Sequence, residues 1–569
     1  MRRRAVLATL TAVALSGGVA ACGGGSGSEG SKTTPPAKAG VNDIAATPRD
    51  QVKQGGQIVW PIGEMPPNFN YYQLDGTLLD NSNIMGGTTV DFYNTDAAGN
   101  AIWNKDYLAE EPTVKTDPQQ VITFKINPKV KWSDGAAFTW EDVKAQWQAS
   151  SGTNKEYKIS SDNGWKDIEK VEKGADDHTA VVTFKNKYAD YQALFTNIYP
   201  KATNADPKLF NTGWIEKMPA TAGPFKFQSL DKTAQTVTMV PNPDWWGDKP
   251  KLDKIIFKVV EDNATADALA NGEIDFTDIG ANVNLYKRTK ELAAQGKVDI
   301  RRAGGPNFRH ITINGSQPQL SDKNVRQALA LAINRDTIAK ALLAPLDQEP
   351  KALNNHIFMT NHAAYKDNAG DLGKYNVEKA KTMLDTAGWK LNGAVRQKDG
   401  KPLTINFVIP AAVQASKQES ELIQAMLKEV GVTVNINTVP SGDFFEKYIT
   451  PGQFDFTVFS WIGTAFPISS AESIYKKPVK AADGTLDVQQ NYSRIGTDEI
   501  DALFTKANAE LDKTKNQELG NEIDAKIWDE VYSLPMYQRP DLAAVKKGIV
   551  NYGAFAYADI SYQDIGYKK

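Results

Sequence analysis

The chain has 569 residues, 65 basic against 68 acidic, with 23% charged and 41% hydrophobic side chains. That length allows two or three domains with a large core, and the near-neutral balance argues against nucleic-acid binding, which needs a basic patch to neutralise phosphates. A single cysteine, Cys22, excludes an intrachain disulfide and a thiolate metal cluster.

Arg2-Arg3-Arg4 and the apolar run after it read as a secretory signal over residues 1–21, too short and too interrupted by Gly17-Gly18 to span a membrane. Val19-Ala20-Ala21-Cys22 looks like a bacterial lipobox. In that motif the cysteine sulfur takes a diacylglyceryl group and Cys22 becomes the first residue; two acyl chains suffice for stable anchoring. Residues 22–50, rich in Gly, Ser, Thr, Pro and Ala without apolar period, read as a flexible tether. The expected location is therefore extracytoplasmic, lipid-anchored to the outer face of the cell membrane.

The body opens with a strand at 55–60, followed by a loop rich in Pro, Asn and aromatics that contains Asn68. Residues 121–126 alternate as a strand, Ser133-Asp134-Gly135 has turn chemistry, and Thr139 with Asp142 predicts a capped helix start. Further strands are expected at 180–185, 222–227 and 255–260. Trp245 and Trp246 between them read as packing residues. A helix at 264–271 is closed by Gly272, and Glu273 and Asp275 on the next strand read as surface or turn-capping carboxylates. The strand 310–314 leads into helical periodicity over 325–343, broken at Asn334-Arg335-Asp336, where Arg326 and Arg335 read as paired, solvated helix residues. Strand, helix and strand patterns at 403–409, 422–430, 432–436 and 454–459 then predict an α/β lobe with a parallel-rich sheet.

Lys131-Trp132-Ser133-Asp134-Gly135 with Phe138-Thr139 and Glu141-Asp142-Val143 resembles a signature of the extracytoplasmic solute-binding proteins of family 5, which serve peptide and nickel ABC importers. So do Ala222-Gly223-Pro224-Phe225, the 241–250 loop, Gly272-Glu273-Ile274-Asp275, Val325-Arg326-Gln327-Ala328-Leu329 with Ala332-Ile333-Asn334-Arg335, and Leu534-Pro535-Met536-Tyr537. The resemblance covers about residues 55 to 560. It implies a class II periplasmic-binding-protein-like α/β fold, with two hinged lobes and an extra subdomain in the first. The implied borders are lobe I at 51–77, 216–305 and 534–569, the extra subdomain at 78–215, and lobe II at 306–533. The hinge crossings fall near 302–307 and at the 534–537 return strand.

Ligands of open α/β sheets bind beyond the carboxyl ends of strands. That places Ser460, Trp461, Gly463, Thr464 and Phe466 at a cleft, with Asn68 and Asn314 as further candidates. In peptide-binding members the equivalent of Trp461 lines the site, and an aspartate shortly after it pairs with the peptide's amine. Here no acidic residue occurs between Trp461 and Glu472. The expected ligand is an oligopeptide, with an oligosaccharide or metal chelate as alternatives. The expected partners are an ABC permease and ATPase complex, and the protein is expected to be a monomer without cofactor or metal. A membrane-tethered hydrolase is the alternative from another class. No nucleophile motif supports it, the four histidines form no zinc motif, and the Gly-Lys pairs at 296, 373 and 400 lack the Ser or Thr of a P-loop.

Overall fold

The computed structural model describes residues 40–261, 263–480, 484 and 486–569. Cys22, the signal segment and the first part of the expected tether lie outside the described residues. Residues 40–50, read from composition as part of that tether, are docked on the first lobe. Asp43 and Ala554 exchange backbone hydrogen bonds of 2.8 and 3.0 Å, the Thr47 N–H donates to Asn551 Oδ1 (2.7 Å), and Arg49 pairs with Asp564. The pairing partners lie some 500 residues away in sequence, so no local pattern announces them.

In the first lobe, strands Gln57–Ile62, Lys254–Val259, Thr236–Pro241 and Phe225–Asp231 form one sheet in that order. The first pair is parallel and the others antiparallel. A second sheet sets Asp541–Lys546 between Phe276–Asp278 and Val298–Ala303. Ile58, Trp60 and Ile62 alternate inward, and the Trp60 ring meets Phe257, Phe276, Tyr552 and Tyr562 at 4.9–5.7 Å. Asp275, expected near the surface, is buried: it accepts from the Val59 N–H (2.7 Å) and pairs with Lys546 (2.9 Å), stitching the two sheets together.

The extra subdomain carries an antiparallel sheet, Thr113–Lys115, Val121–Lys125, Thr179–Phe184 and Ile168–Lys173, with the helix Trp140–Ser150 against it. Its apolar core runs from Val90 to Ile198, joined by Ala220, Ala222 and the Trp245 loop. Ile84, Met85, Tyr199 and Trp214 pack in the first lobe's core instead, so the packed unit is narrower than 78–215. The Lys131–Val143 motif is explained by one carboxylate. Asp142 closes the capping box by accepting the Thr139 N–H (2.8 Å), and also accepts the Trp132 indole N–H (3.1 Å) and the Lys201 N–H (2.9 Å). Ser133 joins the same junction by accepting the Thr221 N–H (3.0 Å). These residues specify a strand–turn–helix corner.

The second lobe is built on five strands in the order Thr433–Val439, Thr404–Pro410, Phe456–Trp461, Phe308–Ile313 and Ser533–Gln538. The first two pairings are parallel and the last two antiparallel, so the sheet is mixed rather than parallel-rich. The reason is connectivity: the chain's entry strand, Phe308–Ile313, sits between Phe456–Trp461 and the exit strand Ser533–Gln538 and alone runs against the others. The 534–537 segment therefore belongs to the second lobe's sheet, and the return to the first lobe comes after Gln538, at 539–540. The other crossing spans 304–307. The two lie side by side, with the Arg539 N–H donating to the Asn307 carbonyl (2.8 Å) and Gln538 Nε2 to the Gly305 carbonyl (2.7 Å).

Arg326 and Arg335 are not solvated; both are 3% exposed. Arg326 donates to the carbonyls of Leu320, Ser321 and Glu530, while Arg335 donates to those of Leu353, Gly373 and Pro535 and lies over Trp528. A guanidinium's planar fork suits several carbonyls at once, which lets these cations pin loops to the helices Lys323–Ala332 and Arg335–Leu343. The helix break at 334 is capped by Asn334, which accepts the Thr337 N–H.

Candidate functional site

Both crossings sit at the carboxyl ends of strands Thr404–Pro410 and Phe456–Trp461, because Phe308–Ile313 starts and Ser533–Gln538 finishes there. This is the end at which an α/β sheet leaves backbone groups and loops free for a ligand.

On the second lobe this end is aromatic. Alternation sends Phe456, Val458 and Ser460 to the helix-covered face and Phe459 and Trp461 to the other. Trp461 runs parallel to Tyr492 (ring centroids 5.9 Å, planes 5° apart) and to His310 (5.4 Å, 13°), with Phe459 edge-on at 5.0 Å. His310 is buried and donates or accepts at Thr312 Oγ1 (2.8 Å); burial and the Arg309 charge hold its pKa well below the usual value, so it stays neutral. Phe445, one-third exposed, extends the wall toward Tyr492 and Phe459. Behind it, on the helix-covered face, Arg309 is paired across the sheet with Ser460 and bound to Glu419, which Tyr537 also reaches (2.5 Å).

On the first-lobe side, Arg539 at the crossing pairs with Asp278, and a Cβ at Gly280 would lie 2.2 Å from the guanidinium. Asp541 accepts the Ala556 N–H (2.9 Å); burial, with the Asp278 charge adding to it, pushes its pKa up to about 7.

The structure separates the sequence-chosen residues into two groups. Trp461 stands half-buried in the aromatic wall, and Thr464 and Phe466 lie in the loop after it. Thr464 Oγ1 shares a hydrogen bond with Ser470 (2.6 Å) and accepts the Phe466 N–H (3.0 Å), shaping the turn into the helix Pro467–Tyr475. Ser460 faces the opposite side of the sheet from Trp461. Gly463 is fixed by close approach: its N–H donates to Asn307 Oδ1 (3.0 Å), and a Cβ would meet the Pro306 carbonyl at 2.3 Å. Asn68 and Asn314 are committed within the fold. Asn68 donates to the Asn211 carbonyl and accepts the Asn70 N–H; Asn314 donates to the Gly452 and Phe454 carbonyls and accepts from Ser316. Asn314 also lies at the far end of its strand from Trp461. Tyr492 and Phe445 were passed over. The signal for Phe445 is the Phe444-Phe445 doublet just past the carboxyl end of strand Thr433–Val439; Tyr492 lies in the run Asn491-Tyr492-Ser493-Arg494, which also resembles the family.

Trp245 and Trp246 pack on each other (4.4 Å) and on Tyr107, with indole N–H groups donating to the Asp248 and Asp106 carbonyls. Among the described residues no three His, Cys, Asp or Glu side chains are grouped to hold a metal, and no helix is long and apolar enough to cross a membrane.

The sequence model of the bacterial extracellular solute-binding proteins, family 5 Middle, matches residues 105–481. The chain belongs to this family. It is similar to the oligopeptide-binding protein OppA of Mycobacterium tuberculosis, with 36% identity over 535 residues, covering 93% of this chain and 88% of that one. Among solved structures, the periplasmic EDTA-binding protein EppA superposes with a TM-score of 0.82 at 25% identity, over 94% of this chain and all of that one. The oligopeptide-binding protein AppA of Bacillus subtilis, solved with a nonapeptide, gives 0.79 at 23% identity, over 91% of this chain and all of that one. The two-lobed architecture with its extra subdomain is thus the family's periplasmic-binding-protein fold, and the protein is an extracytoplasmic solute-binding protein.

Proposed function

We propose that this chain is the substrate-binding component of an ABC importer, held to the outer face of the membrane by lipid on Cys22. It captures an extended solute, an oligopeptide, between its two lobes and delivers it to a permease. The observation that carries the reading is the 36% identity over 535 residues to a relative named for oligopeptide binding. The paired crossings at 304–307 and 539–540 support hinge closure, since two short adjacent segments let one lobe rotate against the other. Closure distinguishes loaded from empty protein, which is what a permease must sense. In this reading Trp461, Tyr492 and Phe445 supply apolar surface for ligand side chains, while exposed backbone at the strand ends holds the peptide main chain.

A second reading, the same transport role with a non-peptide solute, is favoured by one sequence feature. The segment after Trp461 lacks an acidic group to receive a peptide amine until Glu472, and Glu472 is taken by Lys166 and Asn508. Mass spectrometry of acid-released material that co-purifies with the protein separates the two. A ladder of short peptides supports the first reading; a single oligosaccharide or chelate species replaces it with the second.

A further inference from the structure

The extra subdomain and the second lobe are distant in sequence, yet they touch through a compact set of polar contacts. The turn Trp165–Asp167 and the residues before it face the helix Pro467–Tyr475. Lys166 Nζ donates to Glu472 Oε1 (2.9 Å), and the other carboxylate oxygen of Glu472 accepts from Asn508 Nδ2 (2.6 Å). Lys476, at the end of the same helix, lies 3.6 Å from Asp162, which is also 3.8 Å from Lys166. Backbone contacts flank the charges: the Ala189 N–H donates to the Asn508 carbonyl (2.6 Å), and Asn163 Nδ2 donates to the Ser469 carbonyl (3.3 Å).

Three features distinguish this patch from ordinary surface ion pairs. First, it is partly desolvated: the Glu472 side chain is 10% exposed and that of Lys476 19%. Screening is weaker there than at the surface, so removing one partner leaves a charge in poor solvent. Second, the charges alternate, with Asp162 and Lys166 on one side meeting Lys476 and Glu472 on the other. Third, the patch engages the helix that follows the 460–466 loop directly. That helix begins at Phe466, which offers no side-chain cap, and Asp190 of the subdomain lies against its first turn, where the Ser469 hydroxyl and N–H stabilise its carboxylate against burial. Asn163 Oδ1 and Asn508 Oδ1 have no donor among the described residues, as expected of a face that separates and rehydrates.

We infer that Asp162, Lys166, Glu472 and Lys476 form a closing latch, in which the extra subdomain clasps the second lobe and sets the balance between open and closed forms independently of ligand contacts. The inference rests on the hinge-closure reading. In an open molecule the Glu472 helix moves away with its lobe, and the three other charges return to water. The latch makes the extra subdomain part of the first jaw, so its role is conformational rather than ligand-binding.

The test is single-molecule energy transfer on the chain carrying Cys22→Ser, with dyes on Lys129→Cys in the subdomain and Lys379→Cys in the second lobe, both exposed positions. Free protein and protein with a mixed-sequence nonapeptide pool are compared at low and high salt. The expected result is a short-distance population that falls at least threefold in Glu472→Gln, falls with salt in the wild type but little in the variant, and returns in the charge exchange Lys166→Glu with Glu472→Lys. An unchanged thermal melt of Glu472→Gln shows that the fold is intact; Lys166→Met serves if it is not. A closed population that Glu472→Gln and Lys166→Met leave untouched overturns the latch while keeping the hinge. A wild type that shows one distance in every condition overturns the hinge reading itself, and the latch with it.

Discussion

The Trp461 and Tyr492 rings lie 5.9 Å apart with planes within 5° of parallel, although 31 residues and the helix Pro467–Tyr475 separate them in sequence. Tyr492 thus holds the one residue at the strand end that sequence reasoning favoured most. Trp461→Ala should weaken ligand binding by roughly 2 kcal/mol, about thirtyfold, as for a buried aromatic anchor. Tyr492→Ala should weaken it less, through loss of the stack. Calorimetric titration with whichever solute co-purifies checks both. An unaltered affinity in well-folded Trp461→Ala removes the aromatic wall from the site.

Asp142 receives three N–H donors while buried, so it is a keystone of the subdomain corner. Asp142→Ala leaves the Trp132 indole and two backbone N–H groups unpaired and removes the capping box. The expected destabilisation is about 2–4 kcal/mol. Chemical denaturation should show it as a lower midpoint in the subdomain, with ligand affinity at the opposite lobe's aromatic wall little changed.

Arg309 and Glu419 are both buried beneath the cleft end of the second lobe, where Glu419 also takes the Tyr537 hydroxyl. Glu419→Gln removes the countercharge but keeps most hydrogen bonds. Glu419→Leu strands the guanidinium and should cost roughly 3–5 kcal/mol. The double replacement Arg309→Met with Glu419→Leu should recover most of that loss. If the double variant is no better than the sum of the single ones, the pair is not the coupled unit described.

Three buried carboxyls give the fold a pH dependence. Burial pushes Asp91 and Asp541 up to about 7 and Asp559 up to about 6, from an ordinary value of 3.8. A carboxyl with a raised folded pKa binds more protons folded than unfolded between those values, so its contribution is fully present below the ordinary value and is lost as pH rises from there to about 7. Melting temperature should therefore decline between the ordinary carboxyl range and about pH 7 and level off above it. Asp91→Asn, which mimics the protonated form, should flatten that decline and raise the melting temperature at pH 8.

What the sequence made legible follows from the range of the interactions. The Lys131–Val143 motif could be read because its partners, the Trp132–Asp142 contact and the capping box, lie within ten residues; its ties to Lys201 and Thr221 could not. The strand expected at 454–459 was legible from its apolar run; it lies two residues later, at Phe456–Trp461, so Ser460 and Trp461, read as the start of the loop, are its last two residues. Asn68 and Asn314 were misread because a polar residue in a loop looks the same whether it faces a ligand or a distant carbonyl. Arg326 and Arg335 were misread for a related reason. Helical spacing shows which face a side chain occupies, but the segments that bury that face come from 5 to 204 residues away. The mixed sheet was missed because the direction of Phe308–Ile313 depends on which neighbours it joins, a choice made by tertiary packing.

The segment 40–50 offers the last prediction, because composition and structure disagree on it. Composition alone suggests that a cut at residue 50 frees the body from a passive tether. The structure shows Asp43 bridging Ala554 and accepting the Arg302 N–H (3.1 Å), while Thr47 and Arg49 hold Asn551 and Asp564. Arg302 is the penultimate residue of the strand that runs into the 304–307 crossing, so this strap braces the first lobe close to the hinge. A chain starting at residue 40 should melt like one carrying the whole amino-terminal segment. A chain starting at residue 51 should lose on the order of 2–3 kcal/mol, about 1 kcal/mol for each hydrogen-bonded tie that is lost and not replaced by water. Differential scanning calorimetry of the two truncations decides the matter: equal melting temperatures would return residues 40–50 to the tether.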